Sequence, residues 1–144
     1  MQGFRISTDN DELDFDVIYH FISESYWAKG MLKHTLLKAL SNSFCFGLYD
    51  NSGAQVGFAR LITDKATFAY LVDVFVLESH RGQGLSKWLV QTILEHPDLQ
   101  GLRRIMLATK DAHSLYSQYG FEAIENPEML MQIWHPDVYR ASAS

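Results

Sequence analysis

One cysteine, Cys45, is too few for an intrachain disulfide, and it sits in the apolar run Phe44-Cys45-Phe46, where a buried, inert thiol is expected. His20, His34, His80, His96 and His135 are scattered without the spacing of a metal site, so no metal is expected. No apolar run approaches the roughly 20 residues that a membrane span needs. The opening Met1-Gln2-Gly3-Phe4-Arg5 lacks the apolar segment of a signal peptide, and a reducing, cytoplasmic setting is expected. Basic residues are outnumbered, 12 against 17 acidic, for a net charge of −5. Nucleic acid would favour a basic patch and is not expected as a partner. A cationic substrate such as an amine suits this balance better. Repeats, low-complexity linkers and domain boundaries are also missing.

What remains is an ordinary globular chain of 144 residues, 47% hydrophobic and 20% charged. It is long enough for one real core and too short for two. A single domain over residues 1–140 is expected, with residues 141–144 as a frayed tail. A homodimer is compatible with all of this.

The pattern predicts a mixed α/β fold. Phe4-Arg5-Ile6 reads as a first strand. Phe15, Ile18, Tyr19 and Ile22 recur at helical spacing and predict a helix over 14–25. A second helix is predicted over 31–40, with Leu32, Leu36, Leu37 and Leu40 inward. Residues 44–49 and 55–61 flank Asp50-Asn51-Ser52-Gly53, a strong hairpin signal. A third strand of this meander spans 67–76. A helix from Gly84 ends before Pro97, followed by a buried strand over 104–108. Asp111 is a candidate N-cap for a helix through Tyr119, with Gly120 at its C-terminal cap. Strands over 121–124 and 129–134 would finish the sheet.

The junction at Arg81-Gly82-Gln83-Gly84-Leu85-Ser86 carries the chemistry. A strand, a short glycine turn and a helix start make an anion site. The first helical N–H groups lack partners there, and the helix dipole adds about half a positive charge. Gly82 and Gly84 remove side chains that would keep a phosphate from those amides. A phosphorylated ligand follows, though two glycines also make a common structural turn. The P-loop pattern is absent, because no Gly-Lys-Ser/Thr closes a longer loop. A dinucleotide fingerprint fails too, since Lys87 stands where the third glycine belongs.

Val74-Phe75-Val76 followed by Arg81-Gly82-Gln83-Gly84 resembles the acetyl-CoA signature of the GNAT family of N-acetyltransferases, Arg/Gln-x-x-Gly-x-Gly/Ala. Leu115-Tyr116-Ser117-Gln118-Tyr119-Gly120-Phe121 is similar to that family's second signature, Leu-Tyr-x-x-x-Gly-Phe. The two occur in family order, with one helix and one strand between them. The resemblance implies an order β-α-α-β-β-β-α-β-α-β-β in a sheet of six to seven strands, with a V-shaped opening between the two central strands. It also implies acetyl-CoA as cosubstrate and a primary amine, of a small molecule, as acceptor.

By the same resemblance, backbone groups of Val74, Phe75 and Val76 would pair with the pantetheine arm. Amides of Gly82, Gln83, Gly84, Leu85, Ser86 and Lys87 would hold the pyrophosphate, with Arg81 as a nearby charge. A Phe75 or Val76 amide would stabilise the oxyanion, and Tyr116 would donate a proton to the departing thiolate. Asp73 is the first candidate base; attraction of the cation and a structural hydrogen-bond role stand beside it. His113 is the second candidate. Ser86 and Thr109 depart from the family pattern, Thr109 standing where many members carry an asparagine that contacts the cofactor. The substrate pocket would draw on Tyr26, Trp27, His34, Phe68 and Tyr70, the Tyr26-Trp27 pair by cation–π contact or stacking. A protein amino group as acceptor and a non-catalytic CoA-binding regulatory module are the alternatives.

Overall fold

A computed structural model describes residues 1–143, and side chains through Arg140. Five strands form one mixed sheet in the order β1 (Phe4–Ser7), β2 (Phe44–Asp50), β3 (Gln55–Thr63), β4 (Phe68–Val76) and β5 (Arg104–Leu107). The first four are antiparallel neighbours, and β5 joins β4 in parallel. Helices α1 (Phe15–Ser23) and α2 (Lys33–Ser41) lie between β1 and β2 in sequence. Helix α3 (Leu85–Glu95) makes the crossover from β4 to β5, and α4 (His113–Ser117) and α5 (Val138–Ala143) follow.

Local chemistry explains the element ends. The Asp14 side chain caps α1 by accepting from the Val17 amide at 3.2 Å. In the β2–β3 turn, Asp50 Oδ1 accepts from the Ser52 and Ala54 amides, and Gly53 takes the positive φ that closes the loop.

Two apolar clusters cover the two faces of the sheet. One joins α3 and Tyr116 to Phe46, Ala59, Leu61 and Leu71. The other joins Ile18, Ile22, Leu36 and Leu40 to Cys45, Phe58 and Phe75. Ile18 and Ile22, one helical turn apart, are fully buried, as the helical spacing predicts. Leu37, expected inward, is 54% exposed. Leu36 and Leu40 already fill the buried stripe of α2, and Leu37 lies about 100° around the helix from Leu36.

The sheet has fewer strands than expected. Residues 121–124 and 129–134 stay outside it; Phe121 is half-buried, Met129 closes a 3₁₀ turn over Pro127–Met129, and the others are exposed. The last helix includes residues 141–143 of the tail expected to fray, and Ser144 lies outside the described residues. No helix among the described residues is long and apolar enough to cross a membrane.

A bulge in β4 has the largest consequence. Phe58 opposes Phe75 while Arg60 opposes Val72, so Ala59 faces both Asp73 and Val74. The extra residue takes the left-handed backbone, with Asp73 at φ 58°. Such bulges twist the strand locally and re-aim its side chains. Leu71 and Val74, three residues apart, therefore both pack on the α3 side, while Asp73 and Phe75 turn towards α1.

Candidate active site

The bulge falls where β4 and β5 part. Pairing between them runs from Phe68↔Arg104 to Leu71↔Leu107 and stops there. Beyond it, β4 continues to Val76 with no paired strand on that side among the described residues, and the chain after β5 continues into α4. The opening encloses about 480 Å³ between residues 70–74 and residues 107–112, with Tyr116 in its wall and Tyr26 and Trp27 at its rim.

Backbone alternation decides which β4 groups face the gap. The Leu77 amide donates to the Val56 carbonyl of β3 at 2.8 Å. In an antiparallel ladder the next residue points the other way, so Val76 turns its amide and carbonyl to the open edge. Phe75 shares the orientation of Leu77 and is turned to β3. Its ring is buried and stacked on Phe21, 4.1 Å between centroids.

Beyond Val76 the chain passes through a short 3₁₀ turn into the glycine turn. Gly82 and Gly84 adopt φ of 83° and 80°, with nothing within 4 Å of where a Cβ would project. Gly84 occupies the N-cap of α3, where its backbone and missing side chain leave the helix start uncapped. Among the described residues, the amides of residues 82–87 find no backbone acceptor. The first turn of α3 also holds no acidic residue to compete for the dipole. Leu85 roots the helix in a small cluster with Leu48, Val56 and Val76; Ser86 is half-buried and Lys87 exposed. Arg81 is partly committed elsewhere, since its Nε donates to the Val76 carbonyl at 3.0 Å. Gln83 braces the turn by donating to the His80 carbonyl.

Tyr116 reaches the wall from α4, only 8% exposed and edge-on to Phe121 at 5.7 Å. Among the described residues its hydroxyl makes no hydrogen bond. Burial, and then the neighbouring Tyr26 hydroxyl, push its pKa above the ordinary tyrosine value. It therefore keeps its proton at neutral pH. Helix α4 starts later than expected: Ala112, not Asp111, is its N-cap residue, and Thr109 Oγ1 accepts from the Ala112 amide at 3.0 Å. Thr109 thus shapes the wall and retains a hydroxyl hydrogen to donate.

Asp73 is 4% exposed and fully engaged. Its Oδ1 accepts from Trp27 Nε1 and its Oδ2 from Arg60 Nε, each at 2.6 Å. Arg60 in turn donates to Ser43 Oγ at 3.0 Å. Sequence reasoning overlooked Arg60, although an arginine within the apolar run Val56–Ile62 needs a buried partner. It also overlooked Lys110, whose Nζ lies 5.4 Å from the Tyr26 ring centroid, and read Asp111 only as an N-cap, whereas it lines the opening. Of the residues expected to form the substrate pocket, Tyr26, Trp27 and Tyr70 come together there. His34 does not: it is exposed on α2 and outside the lining, as is His113.

The model of the Acetyltransferase (GNAT) family matches residues 12–121. This chain belongs to the GNAT acetyltransferase family. A crystal structure from Xanthomonas campestris pv. campestris, described as belonging to the same family, is 48% identical. It covers 96% of this chain and 98% of that one, with a TM-score of 0.93. The acetyltransferase FG08082 of Gibberella zeae is 36% identical over 137 residues, 80% of this chain and 76% of its own. A structure described as an acetyltransferase from Deinococcus radiodurans R1 shares the fold at 17% identity and a TM-score of 0.74, covering 99% of this chain and 93% of that one. The parted strands and the uncapped glycine turn are the two parts of the candidate site.

Proposed function

We propose that this GNAT protein transfers an acetyl group from acetyl-CoA to the primary amine of a small molecule. The observation that carries the reading is the uncapped run of amides at residues 82–87, which follows the unpaired edge of β4 in the chain. A pyrophosphate suits that turn in charge and in space. An extended pantetheine arm suits the edge, where it would bond as an added strand. Acetyl-CoA supplies the activated acyl group as a thioester.

The neutral amine attacks the thioester carbonyl, and the new C–N bond forms as the C–S bond breaks. The Val76 amide, on the open edge, is the donor we assign to the developing oxyanion. Tyr116 gives its proton to the departing thiolate; a neutral phenol beside a nascent thiolate is the correct acid for that step. The proton lost by the amine goes to water, and water returns a proton to the Tyr116 phenolate. Asp73 is assigned to positioning, because its two oxygens already accept from Trp27 and Arg60. It holds the Trp27 ring at the rim, where a cationic or aromatic acceptor would meet it. Asp111 adds a negative charge on the same wall.

A panel of primary amines, assayed for free CoA released from acetyl-CoA, tests the reading. At least one amine should give sustained release. Acetyl-CoA binding without amine-dependent release would replace the reading by a non-catalytic CoA-binding module.

A further inference from the structure

One face of the sheet is only partly covered by its helices. Helices α1 and α2 pack on Cys45, Phe58 and Phe75, towards the start of β3 and the end of β4. At the opposite end of β4, alternation puts Phe68, Tyr70 and Val72 on that same face, since Ala69 and Leu71 point to the α3 side. The register widens the row, because Ile62 of β3 and Met106 of β5 both stand opposite Tyr70. None of these five side chains joins an apolar cluster of the core. Ile62 is 49% exposed and Phe68 37%, and the other three are half-buried. Single exposed apolar residues are ordinary; five contiguous ones across three strands mark a binding surface.

The strip begins inside the opening between β4 and β5. Tyr70 and Val72 line that opening, with Tyr26 and Trp27 at its rim, whereas Phe68 lies outside it at the far end. Four residues of extended strand separate Val72 from Phe68 by about 13 Å, and three strands give a width of about 10 Å. Arg60, opposite Val72, has its charge matched by Asp73. The strip therefore carries no unmatched charge until Arg104, in register with Phe68 and exposed.

An acceptor whose nitrogen reaches the thioester leaves the rest of its body on this strip. A polar body would lose water there and find almost no partner in return. Resting on the acetyl-transfer reading above, we propose that the acceptor is a primary amine with an extended apolar body, alkyl or aryl. That body lies along β4 over Val72, Tyr70 and Phe68, flanked by Ile62 and Met106. Size and continuity with the opening select such an acceptor over a second chain. The strip measures on the order of 130 Å², against the roughly 800 Å² per partner of a stable protein interface. Ile62, Phe68 and Met106 then set specificity without touching the reacting atoms.

Free CoA release from acetyl-CoA, measured along the straight-chain series from propylamine to octylamine, tests this. A fully buried methylene is worth about fourfold, so one lying on an open strip should raise kcat/KM about twofold, mainly through KM. Ile62→Ser with Phe68→Ser should keep the parent's thermal shift with acetyl-CoA and flatten the series, the ratio of octylamine to propylamine falling towards one. A flat series in the parent, with turnover throughout, overturns the proposal alone. A rising series that the folded double variant leaves unchanged overturns it too, since the selectivity then resides elsewhere. A flat series with a parental mass twice the 16.5 kDa of one chain, halved in the double variant, gives the strip to a second copy and also overturns it. No release with any amine defeats the acetyl-transfer reading itself, and the acceptor class with it.

Discussion

Replacing Asp73 by asparagine separates a structural carboxylate from a catalytic one. The side chain is 2% exposed and Arg60, its partner at 2.6 Å, is 11% exposed. Removing one member of such a pair leaves an uncompensated buried charge and typically costs about 3–5 kcal/mol. The asparagine would keep an acceptor for Trp27 and tolerate the left-handed backbone at this position, so the loss falls on Arg60. At about 3 kcal/mol, and roughly 2–4 °C per kcal/mol for a chain near this size, Tm should fall by about 6–12 °C. Urea unfolding should show a lower midpoint at unchanged slope. Arg60→Met combined with Asp73→Asn should recover much of the loss, since neither charge is then stranded. The reasoning fails if Asp73→Asn unfolds within about 0.5 kcal/mol of the parent, the range of an ordinary surface substitution. Lost turnover that returns at high pH in such a stable variant would make Asp73 the base.

Acetyl-CoA at about 100 times its Kd should stabilise the parent by about 2.7 kcal/mol. Gly84→Asp should abolish that thermal shift, because a carboxylate would stand in the space the pyrophosphate needs. Tyr116→Phe should lower kcat by about 10²–10⁴-fold with acetyl-CoA affinity and Tm nearly unchanged, as the hydroxyl makes no structural hydrogen bond. Parental turnover under rate-limiting chemistry would reduce Tyr116 to packing. Burial pushes the Cys45 thiol from 9.0 up to about 11. Between those values the unfolded chain binds fewer protons than the folded one, so stability should fall as pH rises through that window. Alkylation of the native protein at pH 8 should be correspondingly slow, and rapid labelling would contradict the burial.

Much of the fold was legible because its signals are local. The Asp50-Asn51-Ser52-Gly53 turn, the Ile18–Ile22 spacing and the strand-to-helix glycine junction each declare themselves within a few residues. Residues 129–134 read as a strand, yet Met129 closes a 3₁₀ turn and the rest joins no strand among the described residues, because pairing depends on a partner edge that the sequence does not display. The bulge at Asp73 was equally hidden, because its only local mark is an aspartate in an apolar strand. That one residue shifts the side-chain phase near the point where β4 leaves β5, and its carboxylate binds Arg60 and Trp27. Leu37 failed for a simpler reason: α2 buries a narrow stripe through Leu36 and Leu40, and Leu37 lies outside it.

Amide hydrogen exchange with and without acetyl-CoA decides whether the glycine turn and the β4 edge form the cosubstrate site. Acetyl-CoA should slow exchange in two separate places, the turn at residues 82–87 and the β4 edge at Val76, in the parent protein. Gly84→Asp should erase the turn's protection under the same conditions. Unchanged exchange at both places, with acetyl-CoA present at saturating concentration, would contradict the assignment of this turn and edge as the acetyl-CoA site.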